Sequence, residues 1–267
     1  MVAAVTELRG SRALVTGAYG GLGRAITKAL KAHGCEVVVT GRRPDPLHLV
    51  AQEVGARAIV GDLSVRADLH RIVDQAGQLD ILVANAALPG SGLLPDWEEG
   101  QIDRVLEVNL ADPIVMTHAL LPGFLQRGKG HFVYVSSLSG KVASQGGAMY
   151  SATKFGLRGF AGGLRCDLHR TEIGCSVIFP GFVRDAGMFA DSGASLPFRV
   201  GTVSPEQVAA GVVKAIATNR AEITVAPLVL RVGAALGGLT PRWSAPVQAR
   251  LDTGLSERLI AAQRERR

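Results

Sequence analysis

Short β-branched runs alternate with longer amphipathic stretches along most of this chain, starting with Ala13-Leu14-Val15-Thr16 and a glycine-rich turn. Further runs of strand character lie at residues 36–40, 58–60, 81–84, 131–136, 175–179 and 222–226, each bounded by Gly, Asp, Asn or Pro. Between them the spacing predicts helices over residues 22–33, 46–54, 65–76, 97–125, 149–170 and 205–218. Every connection is long enough to return across a sheet, so the pattern predicts βαβ units and a seven-stranded parallel sheet.

Composition supports this α/β reading. With 267 residues, 47% of them hydrophobic and 19% charged, the chain can bury a large core and is neither disordered nor collagen-like. Without a linker, repeat or composition shift, residues 1–267 are expected to form one domain. The irregular stretch 181–203 reads as a lid loop and residues 228–267 as a helical C-terminal extension. The apolar stretch 223–239 is broken by Pro227 and Arg231 and falls short of the roughly 20 residues of a membrane span, so no transmembrane segment is expected. The first ten residues lack the features of a secretory signal, which places the chain in the cytoplasm.

Cysteine, histidine and charge each exclude a class. Cys35, Cys166 and Cys175 have no CxxC spacing, arguing against a disulfide framework or structural zinc, and the six histidines show no ligand spacing, so no metal is expected. The net charge of +6 comes from 29 basic residues that form no run, which argues against nucleic acid as a partner. A phosphorylated cofactor would use the same excess.

Thr16-Gly17-Ala18-Tyr19-Gly20-Gly21-Leu22-Gly23 lies between the first strand and the first helix, where unpaired N–H groups and the helix dipole favour a pyrophosphate. Gly17, Gly21 and Gly23 permit the tight turn and close approach of backbone to phosphate; Tyr19, Gly20 and Leu22 belong to the same turn. At the end of the second strand, Val39-Thr40-Gly41-Arg42-Arg43 carries no carboxylate to receive a ribose 2′-hydroxyl. NADP(H) is therefore favoured, with Arg42 and then Arg43 as 2′-phosphate partners, and NAD(H) as the alternative. Asp62, after the third strand, is placed to accept from the adenine amino group, and Leu63 is assigned to the same cofactor site.

Tyr150 and Lys154, four residues apart in a predicted helix, share one face. A tyrosine acting as an acid or base near neutrality needs a nearby positive charge to stabilise its phenolate, and Lys154 can supply it. Ser137, at the end of the fifth strand, is positioned to bond a substrate carbonyl or alcohol oxygen.

Taken together, TGxxxGxG, Asn85-Ala86, Asn109, Ser137, Tyr150-x-x-x-Lys154 and Pro180-Gly181 resemble the short-chain dehydrogenase/reductase family over residues 10–226. The resemblance implies a Rossmann-type sheet ordered 3-2-1-4-5-6-7 with helices on both faces. It implies a catalytic tetrad of Asn109, Ser137, Tyr150 and Lys154, with Tyr150 as general acid in reduction and general base in oxidation. Lys154 would also bind the nicotinamide ribose, Asn109 would hold a water of the proton relay, and Ser137 would orient the substrate oxygen. Asn85 and Ala86 would border the cofactor, and Pro180, Gly181 and Val183 would cover the nicotinamide. Self-association as a homodimer or homotetramer is implied through the helices carrying Asn109 and Tyr150. The chain departs from the family at Ala84 and Ala87, at Asp185 where Thr is frequent, and at Gly20 where NADP-preferring members often carry a base.

Met188, Phe189, Leu196, Pro197 and Phe198 in the lid, with Leu88, Leu93, Leu94, Leu138 and Val142 on loops, predict an apolar cleft. Ser137, Leu138, Tyr150, Met188 and Phe189 are its expected substrate contacts, and the substrate a hydrophobic ketone or secondary alcohol. A catalytically retired dinucleotide sensor on the same fold is the competing reading from another class. The C-terminal extension is expected to cover the cleft or a subunit interface, or else to meet anionic lipid.

Overall fold

The structure, a computed structural model, describes residues 6–190, 201–239 and 255–263. Seven strands form one parallel sheet: β1 (Arg12–Thr16), β2 (Glu36–Gly41), β3 (Arg57–Val60), β4 (Ile81–Ala84), β5 (Gly130–Val135), β6 (Ile173–Pro180) and β7 (Glu222–Val225). Their order is β3-β2-β1-β4-β5-β6-β7, as the family resemblance implied. Connections run outward in both directions from the β1–β4 pair, which leaves a crevice beyond the carboxyl ends of those strands.

Alternation along each strand divides the core into two layers. Ala13, Val15, Val37, Val39, Val83 and Val133 face α1 (Gly21–Ala32), α2 (Pro44–Val54) and α8 (Pro205–Thr218), packing on Ile26, Leu47 and Val212. Leu14, Val38, Leu82, Phe132 and Tyr134 face α3 (Arg66–Ala76), α5 (Asp112–Arg127) and α6 (Ala148–Asp167), packing on Ile72, Leu120 and Leu157. Both faces of the sheet are buried, which explains the apolar runs and the high mean hydropathy of +0.23.

The helix predicted over residues 97–125 is instead built in pieces. α4 (Glu99–Leu106) passes through one π-helical turn, Glu107–Ala111, into α5. The reason lies at Pro113, whose ring nitrogen has no hydrogen to give the carbonyl of Asn109 four residues earlier. The Asp112 N–H bonds the Glu107 carbonyl, five residues back, in its place. The run Glu99–Arg127 is long and apolar enough by composition to cross a bilayer, yet Val105, Asn109, Asp112 and Phe124 are buried within the domain.

After β6 come α7 (Gly187–Ala190) and, beyond β7, α9 (Leu228–Leu239) and α10 (Leu255–Gln263). Leu196, Pro197, Phe198 and the Met188 side chain lie outside the described residues. On α9, Leu228, Val229, Val232 and Leu236 are exposed while Ala234 is buried.

Candidate active site

The glycine-rich turn opens α1 as the sequence predicts. Gly17 has φ +63°, in the left-handed region, and a Cβ on it would stand 2.9 Å from the Ala86 Cα. A Cβ on Gly23 would collide with the Gly17 carbonyl oxygen. The N-cap of α1 is Gly20, which offers no capping side chain, while Leu22 is half-buried in the first turn. Asn85 braces this turn from the end of β4: its Nδ2 donates to the carbonyls of Thr16 at 2.9 Å and Gly17 at 3.3 Å. The Thr16 hydroxyl accepts from the backbone N–H groups of Asn85 and Ala86. A narrow backbone cradle at an uncapped helix start fits a cofactor pyrophosphate.

At the tip of β2, Arg42 and Arg43 are both exposed and neither forms an ion pair with a described residue. The Tyr19 ring lies against Gly41, where a Cβ would stand 2.5 Å from its Cε1. Gly41 is thus a further glycine of this site, read in the sequence only as part of the strand end. Asp62 is half-buried and partly engaged, its Oδ1 accepting from Ser64 N at 3.0 Å and Ser64 Oγ at 2.8 Å. Leu63 is buried in the core layer beside it.

Pro180 ends β6, and Gly181 N–H donates to the Val225 carbonyl at 2.9 Å. Val183 is buried and pairs with Val203, folding the chain back over the glycine-rich turn. There Ala186 abuts Gly21 so closely that any Cβ on Gly21 would overlap it. Asp185, at the family's frequent Thr position, has φ +64° and lies 3.4 Å from Arg184 in an ion pair. The Phe189 ring packs at a tilt against Phe182, with ring centroids 5.1 Å apart.

Tyr150, Lys154, Ser137 and Asn109 are brought together where β4 and β5 end. Tyr150 and Ser137 are half-buried, whereas Lys154 and Asn109 are buried. The Ser139 N–H donates to Ser137 Oγ at 3.2 Å and fixes that hydroxyl. Lys154 Nζ donates to the Val135 carbonyl at 3.0 Å and lies 5.5 Å from the Tyr150 ring centroid. Burial pushes the Tyr150 phenol up to about 12, and the hydrogen bond with Ser137 only partly offsets it. Burial likewise holds Lys154 down to about 8. Lys154, which the sequence reading assigns to stabilising a Tyr150 phenolate, thus keeps its Nζ beneath the ring with one hydrogen bond to the Val135 carbonyl.

Asn109 does not reach into the cleft. Its Oδ1 accepts from Leu88 N–H at 2.6 Å and its Nδ2 donates to the Leu88 carbonyl at 2.9 Å, so both ends of the amide are used. Two residues beyond Leu88, the Gly90 carbonyl accepts the Tyr150 N–H at 3.2 Å. Gly90, Ser136, whose hydroxyl donates to the Lys154 carbonyl at 3.0 Å, and Val135 support the constellation without having been singled out in the sequence. For Gly90, the Pro-Gly turn was the available signal.

The expected apolar lining is redistributed. Leu88 packs with Trp97, Val105 and Met149 in a small separate core, and Leu93 and Leu94 are exposed. Leu138 remains at the cleft, 3.5 Å from where a Cβ of Gly181 would be.

Residues 11–196 match the family model of the short chain dehydrogenases. The chain belongs to that family. This short-chain dehydrogenase is 34% identical over 230 residues to a ketoacyl reductase, HetN, of Nostoc sp., covering 83% of this chain and 80% of that protein. It is 36% identical over 183 residues to an NADP-dependent 3-hydroxy acid dehydrogenase of Salmonella typhi, covering 64% and 71%. An actinorhodin polyketide ketoreductase structure with NADPH superposes with a TM-score of 0.74 at 28% identity, covering 83% of this chain and 97% of that one. The short-chain dehydrogenase is thus an NAD(P)-dependent oxidoreductase.

Proposed function

We propose that this enzyme reduces a hydrophobic ketone to a secondary alcohol with NADPH, Tyr150 being the general acid. The observation that carries the reading is the Tyr150–Ser137 hydroxyl pair above buried Lys154. The Tyr150 phenol, raised to about 12, keeps its proton at neutral pH, and giving it to the developing alkoxide of a reduced ketone requires the phenolate left behind to be stabilised. Ser137 donates a second hydrogen bond to that oxygen, and Lys154 is the nearest cation to the phenolate left behind. The cofactor supplies the hydride. Gly17, Gly21 and Gly23 with the N–H groups of the first turn of α1 would hold its pyrophosphate, and Arg42 and Arg43 its 2′-phosphate. Asp62, whose Oδ2 lies 4.0 Å from Arg104, would meet adenine from that side, and Pro180 to Val183 would border the nicotinamide. Relatives described as ketoacyl and polyketide ketoreductases support a keto group on an acyl chain.

Titration of NADPH and NADH by fluorescence, with wild type and Arg42→Ala, tests the cofactor assignment. Preference for NADPH that collapses in the variant is expected; NADH preference unaffected by Arg42→Ala overturns it. A carbonyl panel tests the rest, and binding of cofactor without turnover of any ketone would favour the sensor reading.

The exposed stripe Leu228, Val229, Val232 and Leu236 supports a subunit interface on α9 in addition to the long helices. Sedimentation of wild type against Val232→Lys/Leu236→Lys should show a smaller species for the variant. An unchanged assembly with lost flotation on anionic vesicles would instead assign the stripe to a lipid surface.

A further inference from the structure

The π turn that carries Asn109 is flanked by two acidic residues, Glu107 at its first position and Asp112 immediately after its last. Asp112 is completely buried, and neither of its carboxyl oxygens has a normal hydrogen-bond partner among the described residues. Such a group is costly unless its surroundings require it, and an alanine would fill the position without that cost.

Three charged groups bear on this carboxyl from the elements around it: Glu107, Arg66 and Asp62. Arg66, the first residue of α3, places Nη1 3.7 Å from Asp112 Oδ1 and donates to the Glu107 carboxylate through Nη2. Asp62 adds negative charge from the connection after β3, with Arg104 of α4 4.0 Å from its Oδ2. Burial, followed by the adjoining Glu107 carboxyl, lifts Asp112 to about 8, against the weaker pull of Arg66. The acid therefore keeps its proton at neutral pH and can stand beside Glu107 without repulsion.

We propose that Arg66, Glu107 and Asp112 clamp the two ends of the π turn and hold Asn109 against Leu88, which makes Asp112 a positioning residue for the reaction at Tyr150. Contacts of the fold carry the links: Asn109 grips both polar groups of the Leu88 main chain, and Gly90 accepts the Tyr150 N–H. Gly90 transmits displacement because it touches Tyr150 without a side chain between them, a Cβ there standing 2.8 Å from Tyr150 Cα. The kinetic half of this inference rests on the proposed role of Tyr150; the structural half does not.

Amide hydrogen exchange, read by mass spectrometry on residues 86–92 and 105–113 of the full chain, separates the two halves. Asp112→Ala is expected to speed exchange in both segments by roughly tenfold, while Asp112→Asn, which keeps the shape and can donate to Glu107, stays near wild type. With a ketone from the panel, kcat should fall roughly tenfold in Asp112→Ala with KM for NADPH within about twofold, and recover in Asp112→Asn. Unchanged exchange at 86–92 in Asp112→Ala overturns the clamp whatever the activity. Faster exchange with unchanged kcat overturns the link to Tyr150. Absence of turnover by wild type would count against the proposed function, leaving exchange to decide the clamp. If Asp112→Ala does not fold, Arg66→Ala, altered at the exposed arm, is expected to speed exchange at 105–113, and protection equal to wild type overturns the clamp.

Discussion

The main chain of Gly90 lies directly against that of Tyr150, accepting its N–H at 3.2 Å and leaving no room for a Cβ. A loop from the end of β4 thereby sets the height of the tyrosine at the start of α6. The contact joins backbone to backbone, so neither side can yield by a rotamer change.

Gly90→Ala is accordingly expected to displace Tyr150. Overpacking of this kind costs about 1–3 kcal/mol, and kcat should fall at least about tenfold, since misplacement of a reacting group is penalised steeply. Thermal melts and ketone reduction by the variant check both, and full activity in a normally stable Gly90→Ala would refute the argument.

Removal of the Asn109 amide leaves both polar groups of the Leu88 main chain without their partner. Asn109→Ala should lose about 2–3 kcal/mol in urea unfolding. Asn109→Asp keeps the acceptor but replaces the donor beside a carbonyl, so it should fail to rescue stability at neutral pH.

Asp112 and Lys154 predict opposite pH dependences. Asp112 is raised to about 8 in the fold, so the folded state holds its proton longer than the unfolded chain. Its contribution is fully present below about pH 4 and is lost as pH rises through about 8. Asp112→Asn removes that loss, and its melting temperature relative to wild type should climb by at least about 4 °C between pH 6 and pH 9.

Lys154, lowered to about 8, gives up its proton more readily when folded. Its burial penalty is complete below about pH 8 and disappears as pH rises toward about 10.4, so stability gains over that window. Lys154→Met should be more stable than wild type by about 1–2 kcal/mol at pH 6, with the advantage fading by pH 10, while turnover is lost. An advantage that is constant with pH would show that the ammonium carries no burial penalty.

The cradle at α1 makes a simpler forecast. Gly23→Ala forces a methyl group into the Gly17 carbonyl and the Ala18 main chain, and should both weaken NADPH binding in a fluorescence titration and lower the melting temperature by several degrees.

Much of this site was legible in the chain because the signals are local. The β-branched runs and helical spacing placed every strand, and α1, α2, α3, α6 and α8, within three residues, and Tyr150–Lys154 spacing put both side chains on one helix face. The π turn was missed at Asn109 even though Pro113 stands four residues on, since a proline near a helix start reads equally as a normal first turn. Leu88 looked like pocket lining for a related reason: apolarity announces burial, not which cavity receives it.

The sequence by itself determined the alternation of elements, the parallel sheet, the glycine turn and the placing of Tyr150 and Lys154 on one helix face, because each depends on patterns along neighbouring stretches of chain. Only the tertiary structure decided the electrostatics. Burial sets the protons of Tyr150, Lys154 and Asp112, and burial is a property of what packs around a residue from α3, α4, β5 and α6, segments far apart along the chain.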